Sequence, residues 1–196
     1  MSQALDRGVM NQLFFEARSH NGWQDRPVTD EQIAQLYAAA RMGPTAYNCS
    51  PARFVFARTE AGKARIQPCL ISGNVGKAMS APLLVVMASD EGFLDLAPRL
   101  FPAFDVIAAY RDQPDRVRTM GLRNANLQAA YLMIAARAMG LDCGPMSGFN
   151  ASKLDAELFA GTSWKSNFLC AIGYGDESKL RPRGPRLDLE EACSWL

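Results

Sequence analysis

The sequence predicts a single domain in which helices and strands share one core, and three observations point there. The chain has 196 residues, 48% of them apolar, enough for one substantial core, with no internal repeat or linker. Arg123 to Phe149 reads as an apolar helix stopped by Gly140 and followed by a loop of small residues, Gly144 to Gly148. Leu83 to Ala88 is a continuous apolar run that suits a central strand covered on both faces. In the helix, Leu127, Ala130, Tyr131, Ile134 and Ala138 fall on one face, and Ala125, Leu132, Met133, Ala136 and Met139 cover much of the other. It is expected to be buried in a core or a subunit interface.

Taken in order, Leu5, Val9, Leu13, Phe14 and Ala17 recur at helical spacing, predicting a first helix over about residues 3–18 with a buried stripe. Thr29 and Gln32 form a capping box for a helix through Arg41, which Gly43-Pro44 stops. The loop Pro44 to Pro51 is rich in short hydrogen-bonding side chains. Arg53 to Arg58 reads as a strand, followed by a Thr59-capped helix interrupted near Pro68. The segment Asp90 to Arg118, punctuated by Pro98, Pro102 and Pro114, reads as an irregular lid. Ser152 to Phe159 is expected to be a short helix and Asn167 to Ile172 a strand. A basic, then amphipathic tail closes the chain.

Composition removes several function classes. Lys and Arg total 21 against 20 Asp and Glu, so no global field favours nucleic acid or a membrane surface. The N-terminus lacks the basic start and apolar block of a signal peptide, and a cytoplasmic protein is expected. The helix at 123–139 is interrupted by Arg123, Gln128 and Arg137, leaving no bilayer-spanning run. Five scattered cysteines without a C-x-x-C pair argue against a disulfide framework and a zinc site, and no metal is expected. His20 is the only histidine, so histidine-based triads and metal pairs have little to draw on. Its place at a helix end suggests a capping or surface role. If the protein is an enzyme, a bound cofactor carries the hard chemistry. Residues 73–77 lack the spacing of an NTPase phosphate loop, and residues 144–148 lack the dinucleotide fingerprint.

What remains is a scattered polar set: Arg18, Ser19, Asn21, Lys77, Arg181, Arg183 and Arg186, all at loops or element ends. Singly, each reads as a solvated surface group. Converged by a fold, their guanidinium forks and hydroxyls would suit a phosphate dianion.

Their order along the chain resembles the nitroreductase family of flavin enzymes. Arg18-Ser19-x-x-x-Trp23, Gly43-Pro44-Thr45-Ala46-x-Asn48, Gly73-Asn74-x-x-Lys77 and Pro145-Met146-Ser147-Gly148-Phe149 carry the resemblance. Gly173-Tyr174 and Pro185-Arg186-Leu187 complete it. Within the family, the chain resembles the malonic semialdehyde reductases of pyrimidine utilisation. The resemblance implies an α+β fold, a mixed sheet flanked by helices, in one FMN-binding domain over residues 1–196. It also implies a domain-swapped homodimer built on the 123–139 helix with exchanged C-terminal tails.

By the same resemblance, Arg18, Ser19, His20, Asn21, Arg183 and Arg186 would hold the ribityl chain and phosphate of FMN. Asn74 and Lys77 would face the pyrimidine edge. Pro145, Met146, Ser147 and Gly148 would lie at the ring, with the backbone of Ser147 or Gly148 at N5. Pro44, Thr45, Ala46 and Asn48 would also contact FMN, with Thr45, Ala46 and Asn48 coming from the partner subunit. No catalytic side chain is implied: NADH or NADPH supplies the hydride, and a small aldehyde takes it. A general nitroaromatic or quinone reductase and a non-catalytic flavin-binding redox module are the other readings. For a substrate carboxylate, the lid residues Arg99 and Arg111 are the expected cations.

Overall fold

The computed structural model describes residues 3–196. Nine helices are present among them: α1 (Arg7–Met10), α2 (Asp30–Ala40), α3 (Glu60–Ile66), α4 (Ser72–Ser80), α5 (Ala97–Leu100), α6 (Val106–Tyr110), α7 (Pro114–Ala138), α8 (Ala151–Leu158) and α9 (Leu189–Ala192). The strands are β1 (Ala52–Ala57), β2 (Leu83–Asp90), β3 (Asp142–Met146) and β4 (Trp164–Gly173), in the sheet order β1-β2-β4-β3. The α+β fold is as expected. The mixed sheet is refined, because the named strands all pair antiparallel and parallel pairing is confined to an isolated bridge from Ser19 to Cys143.

β2 is buried along its whole length, because each face of the sheet is covered. Leu84, Val86 and Ala88 point with Leu169 and Ala171 of β4 into one core, closed by Trp23, Ile66, Ala78 and Leu154. Leu83, Val85 and Met87 point with Cys170 and Ile172 into a second core, closed by Leu36, Ala129, Leu132 and Ala136. The period-two alternation of a strand thus feeds two helical layers. Full burial of each Leu or Val side chain contributes roughly 1.5–3 kcal/mol. α2 starts from the expected capping box of Thr29 and Gln32, and Thr59 caps α3.

Three elements correct the sequence reading. The long helix begins at Pro114, so the last residues of the expected lid are its first turns. Proline at that position starts a helix at no cost, its missing N–H being unpaired there anyway. Residues 142–146, expected as loop, form edge strand β3, where Pro145 withholds an N–H that the outer edge does not need. The first helix is only Arg7–Met10, continued by a π-turn over Asn11–Phe15. Of its predicted stripe only Leu13 is buried: Leu5, Val9 and Phe14 are exposed, as is the neighbouring Phe15, and Ala17 is half-buried.

Apolar surface is left open elsewhere too. The core side of α7 is buried, but Leu127 and Tyr131 on its other side are 43% and 41% exposed. The tail leaves Leu187, Leu189, Trp195 and Leu196 uncovered. Cys49, Cys69, Cys143 and Cys170 are buried free thiols and Cys193 is exposed. Burial pushes Cys49 up to about 11, so it stays a protonated thiol at neutral pH. Among the described residues no cluster of His, Cys, Asp and Glu could hold a metal, and no helix is long and apolar enough to cross a membrane.

Candidate functional site

The open edge of β3 organises the site. Segment 18–21 runs alongside it: Ser19 bridges Cys143, and the His20 N–H donates to the Cys143 carbonyl at 2.9 Å. The approach is close enough that a Cβ on Gly144 would lie 2.4 Å from the His20 carbonyl oxygen. On this track Arg18, Ser19 and Asn21 face a cleft of about 640 Å³, whose other wall is Arg181, Arg183 and Arg186 of the tail. Two reciprocal bonds tie the walls together. Arg18 Nη2 donates to the Arg181 carbonyl, and Arg183 Nη2 donates to the Ala17 carbonyl at 3.1 Å.

The sequence reading had not placed Arg137 here. It reaches the cleft from the last turn of α7, with Nη1 donating to the Leu13 carbonyl at 2.9 Å and a buried Nε that has no acceptor. Its signal was a cation in an otherwise apolar helix. Among the described residues no carboxylate lines this cleft, where five arginines meet. Such a donor set suits a dianion.

Further along the edge, α4 supplies the next two side chains. Residues 73–77, whose loop-like glycines conceal the helix, lie within it, so Asn74 and Lys77 share one face at i, i+3 spacing. Asn74 Nδ2 donates to the Gly148 carbonyl at 2.9 Å, and Lys77 Nζ to the Pro145 carbonyl at 3.3 Å. A Cβ on Gly148 would meet Ile71 Cδ1 at 2.4 Å and Asn74 Nδ2 at 2.7 Å, so this floor must be bare backbone. Pro145 and Ser147 are exposed, whereas the Met146 side chain is buried in the core and only its backbone borders the site. Burial lowers the Lys77 pKa, and nearby Arg181 lowers it further against an opposing Cys170 influence.

His20 corrects the expectation of a capping or surface residue. It is 4% exposed, with Nε2 at 3.3 Å from Asp142 Oδ1 and its ring against Gly175, where a Cβ would fall 2.0 Å from Nδ1. Asp142 is held in turn by the Gly175 N–H at 2.9 Å. Its side chain is therefore core, and its backbone alone reaches the site.

Pro44, Thr45, Ala46 and Asn48 lie elsewhere in the same chain. The Ala46 N–H donates to Asn124 Oδ1 at 2.8 Å, 13 residues before Arg137 on α7, or about 20 Å along the helix at 1.5 Å per residue. The loop is strained, with left-handed Tyr47, Asn48 and Ser50 at φ of 52°, 48° and 41°. Each such residue costs about 1–2 kcal/mol. Tertiary contacts hold it. Asn48 donates to the Leu100 carbonyl, Arg53 to the Ser50 carbonyl, and the Tyr47 ring is enclosed by Phe101, Phe104 and Tyr110.

Comparison with known proteins gives this arrangement its family. The nitroreductase family pattern matches residues 16–174. A Stutzerimonas stutzeri protein named for NADH dehydrogenase/NAD(P)H nitroreductase activity is 52% identical over 193 residues, covering 98% of both chains. A Ralstonia nicotianae protein with the same description is 49% identical over 192 residues, again covering 98% of each. An Exiguobacterium sibiricum nitroreductase solved in complex with FMN shares the fold, with a TM-score of 0.84 at 19% identity over 100% of this chain and 99% of that one. With the family pattern spanning the sheet and the β3 edge, and relatives matching end to end, the chain belongs to the nitroreductase family.

Proposed function

We propose that the protein is an FMN-dependent oxidoreductase that uses NADH or NADPH to reduce a small aldehyde. Its specific reaction in this reading converts malonic semialdehyde to 3-hydroxypropanoate in pyrimidine degradation. The observation that carries the flavin assignment is the continuity of the arginine cleft with the bare floor at Gly148 along one strand edge. FMN fits that donor set: a dianionic phosphate for five arginines, and a flat ring for backbone without side chains. Arg18, Ser19, Asn21, Arg183 and Arg186 would hold the phosphate and ribityl oxygens, with the orphaned Arg137 Nε beside them. Asn74 and Lys77 would border the pyrimidine edge, and the 145–148 backbone would underlie the ring. Bound flavin would supply two-electron hydride chemistry between the nicotinamide and the aldehyde, whose reduction also consumes a proton. The Lys77 ammonium favours negative charge at its edge of the site.

The homodimer belongs to the same proposal. The open face of α7, the exposed stripe around α1 and the uncovered tail are surfaces a second copy would bury, and it would bring its Thr45–Asn48 loop to the site. Purified protein should be yellow and run at twice the 21.5 kDa chain mass in light scattering, and anaerobic NADH or NADPH should bleach its flavin band. A colourless protein that takes up no FMN would end the flavin reading, and a flavin that stays oxidised would favour the non-catalytic redox module.

The names of the two relatives support a second acceptor class, nitroaromatic compounds. Turnover of malonic semialdehyde, a nitroaromatic and a quinone, measured side by side, separates the readings. Negligible aldehyde reduction would remove the first.

The lowered Lys77 pKa sets a pH dependence. Its ammonium is fully present below the folded pKa and is lost as pH rises through it. Reduction should therefore decline on an alkaline limb that begins below the ordinary lysine value of about 10.4. Stability carries the opposite sign: the unfolded chain binds this proton more tightly, so stability rises as pH climbs through the lowered folded pKa and levels off once the unfolded lysine has also lost its proton. A pH profile of Lys77→Arg should shift the limb upward, and an unmoved limb would detach it from Lys77.

A further inference from the structure

We infer that the cavity between the strained Pro44–Pro51 loop and the first turns of α7 is an acceptor-specificity site that takes the carboxylate of an anionic substrate through Arg116 and Arg123. The cavity measures about 470 Å³. Arg116, Thr119, Met120 and Arg123 follow the i, i+3, i+4, i+7 pattern, so one face of α7 presents all four to it. Their face is the one that turns apolar at Leu127 and Tyr131, so the cavity opens where a second copy would arrive.

Among the described residues Arg123 has no ion pair or hydrogen-bond partner. Arg116 donates to Gln113 Oε1 at 2.6 Å and lies over the Tyr110 ring at 5.2 Å, which orients its fork and leaves N–H groups unused. Asp115 is the single acid in the lining, so the cavity offers a net charge of +1. That suits a monoanion, where the five-arginine cleft suits a dianion. The Tyr47 and Tyr110 hydroxyls, 3.3 Å apart, add neutral donors, and the hydrogen bond between them raises the Tyr47 pKa.

The remaining walls, Ala46, Met120 and the two tyrosine rings, suit an organic body carrying the carboxylate over a bare inorganic ion. The strain in the loop has a purpose in this reading. Left-handed Tyr47 turns its ring between Phe104 and Tyr110, where it forms a fixed wall. The lid arginines expected for this task are placed differently: Arg111 lines a separate cavity with Asp105, and Arg99 lines neither.

The turnover arm of the test rests on the oxidoreductase reading above, and the binding arm does not. Benzoate and inorganic phosphate are titrated calorimetrically into the intact flavin-loaded protein and into its Arg123→Met and Arg116→Met variants, each checked for a cooperative melt. In parallel, kcat/KM is measured for 4-nitrobenzoate and nitrobenzene. Benzoate should bind wild type and weaken about 10-fold in Arg123→Met, with phosphate unaffected by that change, a tenfold effect being about 1.4 kcal/mol. The preference for 4-nitrobenzoate over nitrobenzene should shrink by a similar factor. Equal benzoate binding in wild type and both variants overturns the site. So does a substrate ratio that neither substitution moves. If neither nitro compound is reduced, the nitroaromatic acceptor reading is what has failed, and benzoate binding still decides the site.

Discussion

A Gly144→Ala variant is expected to lose about 3 kcal/mol of stability and to bind FMN at least tenfold more weakly. Gly144 needs no unusual φ; it needs space. A Cβ there would sit 2.4 Å from the His20 carbonyl oxygen, 3.2 Å from Trp23 Cζ2 and 3.3 Å from Lys77 Cδ. The nearest of these is backbone, so no rotamer change relieves the contact. Segment 18–21 must lift from β3, straining the 2.9 Å bond from His20 to Cys143. Overpacking typically costs 1–3 kcal/mol and a lost hydrogen bond about 1 kcal/mol. For a chain of this size, about 3 kcal/mol lowers Tm by roughly 6–12 °C. Binding falls with stability because Arg18 and Ser19 ride on the displaced segment. Gly76→Ala, with nothing within 4 Å of its Cβ on α4, serves as the control and should melt at or slightly above wild type. A Gly144→Ala protein that melts with wild type and retains its flavin would show that the β3 edge does not position the site.

What the sequence made legible was local. β2 announced itself because burial on both faces requires an unbroken apolar run, and α2 because Thr29 and Gln32 satisfy each other's backbone groups at i, i+3 spacing. The arginine cleft was legible as a list of residue types whose order matched a family, though spacing alone could not converge groups 160 residues apart. The failures have a common cause in distant partners. His20 is buried by Asp142 and Gly175, neither of which its neighbours foretell. Gly144-Pro145 reads as loop by propensity, and pairing with β4 overrides it. Gly73 and Gly76 hid α4, whose helical form aligns Asn74 with Lys77. The α1 stripe and the outer face of α7 were read correctly as apolar but stand uncovered in one chain. For those surfaces the pattern is sound, and in the proposed homodimer a second copy would cover them.

Replacing Arg18 and Arg183 together by alanine is expected to weaken FMN binding by about 10²- to 10⁴-fold with little change in Tm. Each guanidinium is worth roughly 1.5–3 kcal/mol as a charge-assisted donor to an anion, and two give about 3–6 kcal/mol if they act independently. They do not act independently, because Arg18 holds the tail at Arg181 while Arg183 holds the N-terminal segment at Ala17. Either single variant should therefore loosen both walls, and the double variant should cost less than the sum. Neither residue is buried, so the fold should tolerate the change, which separates this variant from Gly144→Ala. The lost affinity should also reduce the salt sensitivity of binding, since fewer exposed cations face the phosphate. Flavin fluorescence titration at low and high ionic strength checks each part. A double variant that binds FMN within threefold of wild type would move the phosphate out of this cleft and leave its five arginines without a ligand.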